Sequence, residues 1–130
     1  MATSPNITSV NYRRKILIVD DEGPIRRLLT IALQNAGYFV EAMPDGSAGV
    51  QAIESQNFDL VITDLEMPHL RGDAVIEAVK AIDPSTPAMV ISGRLEHGDV
   101  ETLRALGADE LVDKPFHLSS ILATVERLLS

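Results

Sequence analysis

Short continuous apolar runs alternate with helical apolar stripes along the chain from residue 15 onward. KILIVD (15–20) is such a run; it ends in acids and reads as a strand buried on both faces. Pro24 follows at a first helical position. Ile25, Leu28, Leu29, Ala32, Leu33 and Ala36 then recur at helical spacing, and Gly37 closes the stripe. The cycle repeats, with strands expected at 38–42, 59–63, 88–92 and 110–112 and helices at 45–56, 72–82, 97–106 and 118–129. The last helix has the clearest stripe: Leu118, Ile121, Leu122, Val125, Leu128 and Leu129. Residues 1–13, rich in Ser, Thr and Asn with no apolar period, are expected to be a flexible lead-in to one domain over 14–130. Five β segments alternating with five α segments predict right-handed crossovers and a doubly wound parallel α/β sheet, covered on both faces.

In such a sheet, reactive groups gather beyond the carboxyl ends of the strands. Strand one ends at Asp20, Asp21 and Glu22, and strand three at Asp64 and Glu66. Strand four ends at Ser92, Gly93 and Arg94, and strand five at Asp113, Lys114 and Pro115. Each has an ordinary explanation by itself. Acids before a helix suit its dipole, Ser-Gly makes a turn, and a strand-end acid is solvated. Their coincidence at the ends of four strands argues for a site. Close carboxylates repel, which raises their pKa values or calls for a cation. Lys114 alone is too little. Mg²⁺, a hard ion held by one or two carboxylates together with a phosphoryl group, fits better, with Mn²⁺ as the alternative. A metal, an ammonium and a hydroxyl for phosphoryl oxygens, beside a carboxylate nucleophile, point to phosphoryl chemistry.

Composition narrows the classes. The 130 residues suit one domain, and the absence of cysteine removes disulfides, thiolate metal sites and cysteine nucleophiles. A net charge of −8 argues against direct nucleic-acid or anionic-membrane binding. No apolar run reaches the roughly 18 residues of a membrane span, and the N-terminus has no secretory signal, so a cytoplasmic location is expected. His69, His97 and His117 lack zinc-ligand spacing.

The set ILIVDDE (16–22), VITDLEMPHLRG (61–72), VISG (90–93) and DKPF (113–116), in this order and spacing, resembles the receiver domain of two-component response regulators over about residues 15–129. The resemblance implies a flavodoxin-like, chemotaxis-receiver-like (βα)5 fold with strand order 2-1-3-4-5. It implies Asp64 as phosphoacceptor, loaded from the phosphohistidine of a sensor histidine kinase or a phosphotransfer protein. Asp21, Asp64 and the main-chain carbonyl of Glu66 would hold Mg²⁺, with Asp20 acting largely through water. Ser92 and Lys114 would contact the phosphoryl group, with Lys114–Pro115 a bond often cis in this family. Two positions depart from the common pattern. Leu111 stands where many receivers carry a switching aromatic ring. Glu66 and Arg94, flanking the phosphoryl site, are expected to act as a lid pair that tunes phosphoryl lifetime.

The resemblance also implies an output through a downstream protein partner or an attached output domain. A homodimer through the face of the fourth helix, fifth strand and fifth helix is a further expectation. The chain is expected to be either a stand-alone receiver or the N-terminal piece of a larger regulator. Self-catalysed phosphoryl transfer and autodephosphorylation would make it a signalling domain rather than a turnover enzyme. The competing classes are a haloacid-dehalogenase-like phosphatase with Asp64 as nucleophile, and a phosphorylation-independent interaction module.

Overall fold

The computed structural model describes residues 13–130. Most of the expected lead-in lies outside the described residues. Arg13, its last residue, donates Nε–H to the Gly37 carbonyl at 3.0 Å and places its guanidinium 4.7 Å from the Phe39 ring centroid.

The strands are β1 (Lys15–Val19), β2 (Phe39–Met43), β3 (Leu60–Asp64), β4 (Ala88–Ser92) and β5 (Glu110–Asp113). Between and after them run α1 (Gly23–Asn35), α2 (Gly46–Ser55), α3 (Gly72–Ile82), α4 (His97–Leu106) and α5 (Leu118–Leu129). All neighbouring strands pair in parallel, in the order β2-β1-β3-β4-β5.

Alternation along the strands splits the core in two. Leu17, Val19, Val61, Ala88 and Val90 pack with Ala52, Ile53, Val75, Ile76, Val79 and Leu103 from α2, α3 and α4. Ile16, Ile18, Leu60, Ile62, Met89 and Ile91 pack on the other face with Leu29, Leu33, Ile121, Val125 and Leu129 from α1 and α5. Both faces are dry, which is why β1, β3 and β4 read as unbroken apolar runs rather than as alternating ones. The buried side chains of this size contribute roughly 1.5–3 kcal/mol each relative to exposure.

Small shifts separate the expected boundaries from the observed ones. β2 starts at Phe39 rather than 38 because Tyr38 still belongs to the end of α1: its N–H bonds the Leu33 carbonyl at 3.1 Å. Gly37 makes this closure at φ 101°, a left-handed conformation that suits glycine. Asp45 caps α2 through Ala48 N–H at 2.8 Å instead of joining the helix. The apolar stripe of α1 is narrower than its periodicity suggests. Leu29 and Leu33 are buried, whereas Leu28 is 45% exposed because it sits at the helix flank rather than under the sheet.

Candidate functional site

The parallel pairing places the ends of β1, β3, β4 and β5 side by side, with Val19 opposite Thr63, Asp64 opposite Ile91 and Ser92 opposite Asp113. Past that edge lies a cavity of ≈ 250 Å³ lined by Asp21, Glu22, Asp64, Glu66, Ser92, Gly93, Arg94 and Lys114. Four strand ends that are far apart in sequence thus share one concave surface.

Asp64 closes β3 and is 5% exposed. Its Oδ1 accepts Leu65 N–H at 2.8 Å and its Oδ2 accepts Lys114 Nζ at 3.3 Å. Asp20 is buried as deeply; its Oδ1 accepts Glu22 N–H at 2.9 Å and its Oδ2 accepts the same ammonium at 3.3 Å. Asp21 is exposed, yet carboxylate oxygens of Asp20, Asp21 and Asp64 all lie within 4.8 Å of one another. Burial pushes the Asp20 and Asp64 carboxyls above the ordinary 3.8, and for Asp64 the negative charge of Asp20 adds to the rise. Their hydrogen bonds and Lys114 only partly counter it.

Lys114 is brought in by β5, whose continuation is tied to β4 through Lys114 N–H and the Ser92 carbonyl at 2.9 Å. The Lys114–Pro115 peptide bond is cis. Burial opposes the charge of the ammonium, but hydrogen bonding to Glu22 and the Asp20 and Asp64 charges outweigh it and raise its pKa. Lys114 therefore stays protonated at any physiological pH.

Ser92 is fully buried, and its Oγ accepts Arg94 N–H at 3.2 Å. Glu66 and Arg94 share the cavity wall, but both side chains are exposed and, among the described residues, no ion pair joins them. Water satisfies each charge at less entropic cost than a fixed surface pair. Leu111 is half-buried against the cluster that holds Val90 and Leu103.

The loop after β3 is shaped by close packing. Gly72 N–H bonds the Leu65 carbonyl at 2.9 Å, and a Cβ on Gly72 would stand 2.1 Å from the Asp64 carbonyl oxygen. His69 in the same loop has φ 69°.

Three carboxylates around one point make an all-oxygen donor set, which fits a small hard cation and leaves softer metals without a preferred ligand. One contact of this cluster had no signal in the sequence. Glu22 accepts Lys114 Nζ at 2.7 Å, closer than either aspartate. The two residues lie 92 positions apart, so no local pattern could pair them.

Comparison with known proteins agrees with this geometry. A family model described as response regulator receiver domain matches residues 16–126. The response regulator ArlR of Staphylococcus haemolyticus is 33% identical over 114 residues, which cover 88% of this chain and 52% of that protein. The chain thus spans about half the length of the curated relatives it matches first. A receiver domain protein (CheY-like) from Methanospirillum hungatei superposes with a TM-score of 0.88 at 26% identity, covering 90% of this chain and 94% of that one. TrrA of Thermotoga maritima, a response regulator solved in complex with Mg²⁺–BeF, gives 0.80 at 32% identity over 89% of this chain and 99% of that one.

Proposed function

The chain belongs to the response regulator receiver domain family, and on that premise we propose that Asp64 is its phosphoacceptor. One observation carries the proposal: Asp64 is buried at the mouth of the cavity, with an ammonium 3.3 Å from Oδ2 and two further carboxylates in its cluster. In the proposed reaction an Asp64 carboxylate oxygen attacks the phosphorus of a kinase phosphohistidine. The P–O bond forms as the P–N bond breaks, the imidazole departs with the bonding pair, and an acyl phosphate remains. Asp20, Asp21, Asp64 and the Glu66 main-chain carbonyl would hold Mg²⁺. When bound, the ion neutralises phosphoryl charge that the acidic pocket would otherwise repel.

Each other residue has a task in this scheme. Lys114 supplies a fixed positive charge to a phosphoryl oxygen, and Ser92 offers a hydroxyl that is already inside the pocket wall. Asp20 keeps Lys114 between itself and Asp64. Leu111, lacking a ring that could change places, leaves signal output to α4 and the loop that follows Ser92. The face of α4, β5 and α5 would carry a second copy or a downstream partner, acting from the cytoplasm without direct nucleic-acid contact by this segment.

After exposure to acetyl phosphate and Mg²⁺, mass spectrometry is expected to find a single phosphoryl adduct on the unaltered chain and none on Asp64→Ala. An adduct that survives in the variant refutes Asp64. No adduct on either chain refutes receiver chemistry and favours a phosphate-independent interaction module.

Glu66 and Arg94 would set how long the phosphoryl group lasts, since both border the space through which water must reach it. Glu66→Ala and Arg94→Ala are expected to change the dephosphorylation rate severalfold while shifting stability by no more than about 1 kcal/mol. Rates equal to the parent in both variants would remove them from the mechanism.

A further inference from the structure

The shortest hydrogen bond that the site lysine donates goes to a residue outside the proposed metal and phosphoryl ligands. Lys114 has three N–H donors and three carboxylate partners: Glu22 at 2.7 Å, and Asp20 and Asp64 at 3.3 Å each. All of its donors are thus committed before a phosphoryl group arrives.

The three partners differ in how easily they can release it. Asp20 and Asp64 are buried, and each is also fixed by a backbone N–H. The Glu22 side chain is 56% exposed. Glu22 is the N-cap residue of α1, but its side chain makes no capping hydrogen bond, so among the described residues Lys114 is the sole hydrogen-bond and ion-pair partner of its carboxylate. Leaving Lys114 therefore returns Glu22 to water at little cost. Glu22 also lines the same cavity as Asp64, so its release of Lys114 frees an N–H beside the reacting carboxylate.

We propose that Glu22 is a positioning residue that holds Lys114 at the cavity rim and competes with the phosphoryl group for it. Loading the site transfers one lysine N–H from Glu22 to a phosphoryl oxygen, with no covalent change at either residue. Glu22 thereby raises the concentration of phosphodonor needed to load Asp64 and acts through Lys114 rather than on the reacting atoms. The inference rests on the proposed receiver chemistry at Asp64.

The test uses beryllofluoride, a phosphoryl mimic, with Mg²⁺ on the full chain. Glu22→Gln keeps the shape and an acceptor while removing the charge. It is expected to bind beryllofluoride about three- to fivefold more tightly than the parent, the scale of one partly exposed charge pair. In a Lys114→Met background the same substitution is expected to give no gain, because the effect passes through the ammonium. Weaker or unchanged binding in Glu22→Gln, or an equal gain without Lys114, overturns the inference.

A second readout does not depend on the Lys114→Met chain binding at all. By ¹⁵N NMR, the Lys114 ammonium signal should differ between parent and Glu22→Gln in the free state and coincide once both are saturated. A difference that persists at saturation means that Glu22 never releases the lysine, and overturns the inference. Failure of the parent to bind beryllofluoride or acquire a phosphoryl group refutes the Asp64 assignment instead.

Discussion

Asp64→Asn and Asp20→Asn are each expected to melt several degrees above the parent chain in metal-free buffer at neutral pH. The folded site forces carboxylates of Asp20, Asp21 and Asp64 to within 4.8 Å of one another. Like charges at that range repel by about 3–4 kcal/mol at an effective dielectric near 20. Lys114, shared by both buried acids, offsets part of this, and a net relief on the order of 1 kcal/mol corresponds to roughly 3–5 °C in a domain of this size.

The sign with pH follows from the direction of the shifts. Asp20 and Asp64 have folded pKa values raised above 3.8, chiefly by burial. The unfolded chain therefore gives up these protons first, and the stability linked to holding them is present below 3.8 and lost as pH rises through the folded values. The melting gap between each Asn variant and the parent should open over that window and stay constant above it. Mg²⁺ should raise the parent's melting temperature and narrow the gap, since it stabilises the fold in proportion to its binding. Thermal scans from acid to neutral pH, with and without Mg²⁺, check all of this. Parent and variants melting together under every condition would mean that the acids are not in conflict.

Gly72→Ala is expected to destabilise the chain by about 3 kcal/mol and to slow phosphorylation by more than tenfold. Its Cβ would meet the Asp64 carbonyl oxygen at 2.1 Å, the Asp64 carbonyl carbon at 3.0 Å and the Leu65 Cα at 2.9 Å. Those are backbone atoms, so no rotamer change relieves the clash. Either α3 retreats or the peptide carrying Asp64 tilts, and the proposed nucleophile moves with it. Urea denaturation gives the stability loss, and the acetyl phosphate reaction rate gives the second effect. Parent-like values in both would show that the approach of α3 to β3 is softer than its geometry implies. Gly37→Ala is a useful contrast: a Cβ there meets nothing within 4 Å, and only the φ of 101° resists it.

Much of this arrangement was legible in the chain. The acids at the ends of strands one and three, the Ser-Gly after strand four and the Lys-Pro after strand five were placed by one rule about parallel sheets. That rule works because parallel strands all leave the sheet in the same direction, so the residues at their carboxyl ends gather along one edge. Met89, inside the apolar run expected as the strand over 88–92, has 0% exposure. Leu28 was less legible. Periodicity puts it in the α1 stripe, but a stripe cannot tell which of its edges the sheet covers.

Apolar period and helix breakers alone specify the alternation of five strands with five helices, and with it which residues lie at the carboxyl edge. These are local consequences of apolar period, helix breakers and the cost of burying charge. The order β2-β1-β3-β4-β5 followed from the family resemblance rather than from the pattern, because any parallel order would bury the same runs. Assembly of the sheet, by contrast, sets the division of one ammonium among Asp20, Asp64 and Glu22, the lack of an ion pair between Glu66 and Arg94, and the close approach of Gly72 to the carbonyl of Asp64. Those outcomes depend on ångström-scale distances between segments that meet only when the sheet assembles, and hydrophobic period carries no information about them.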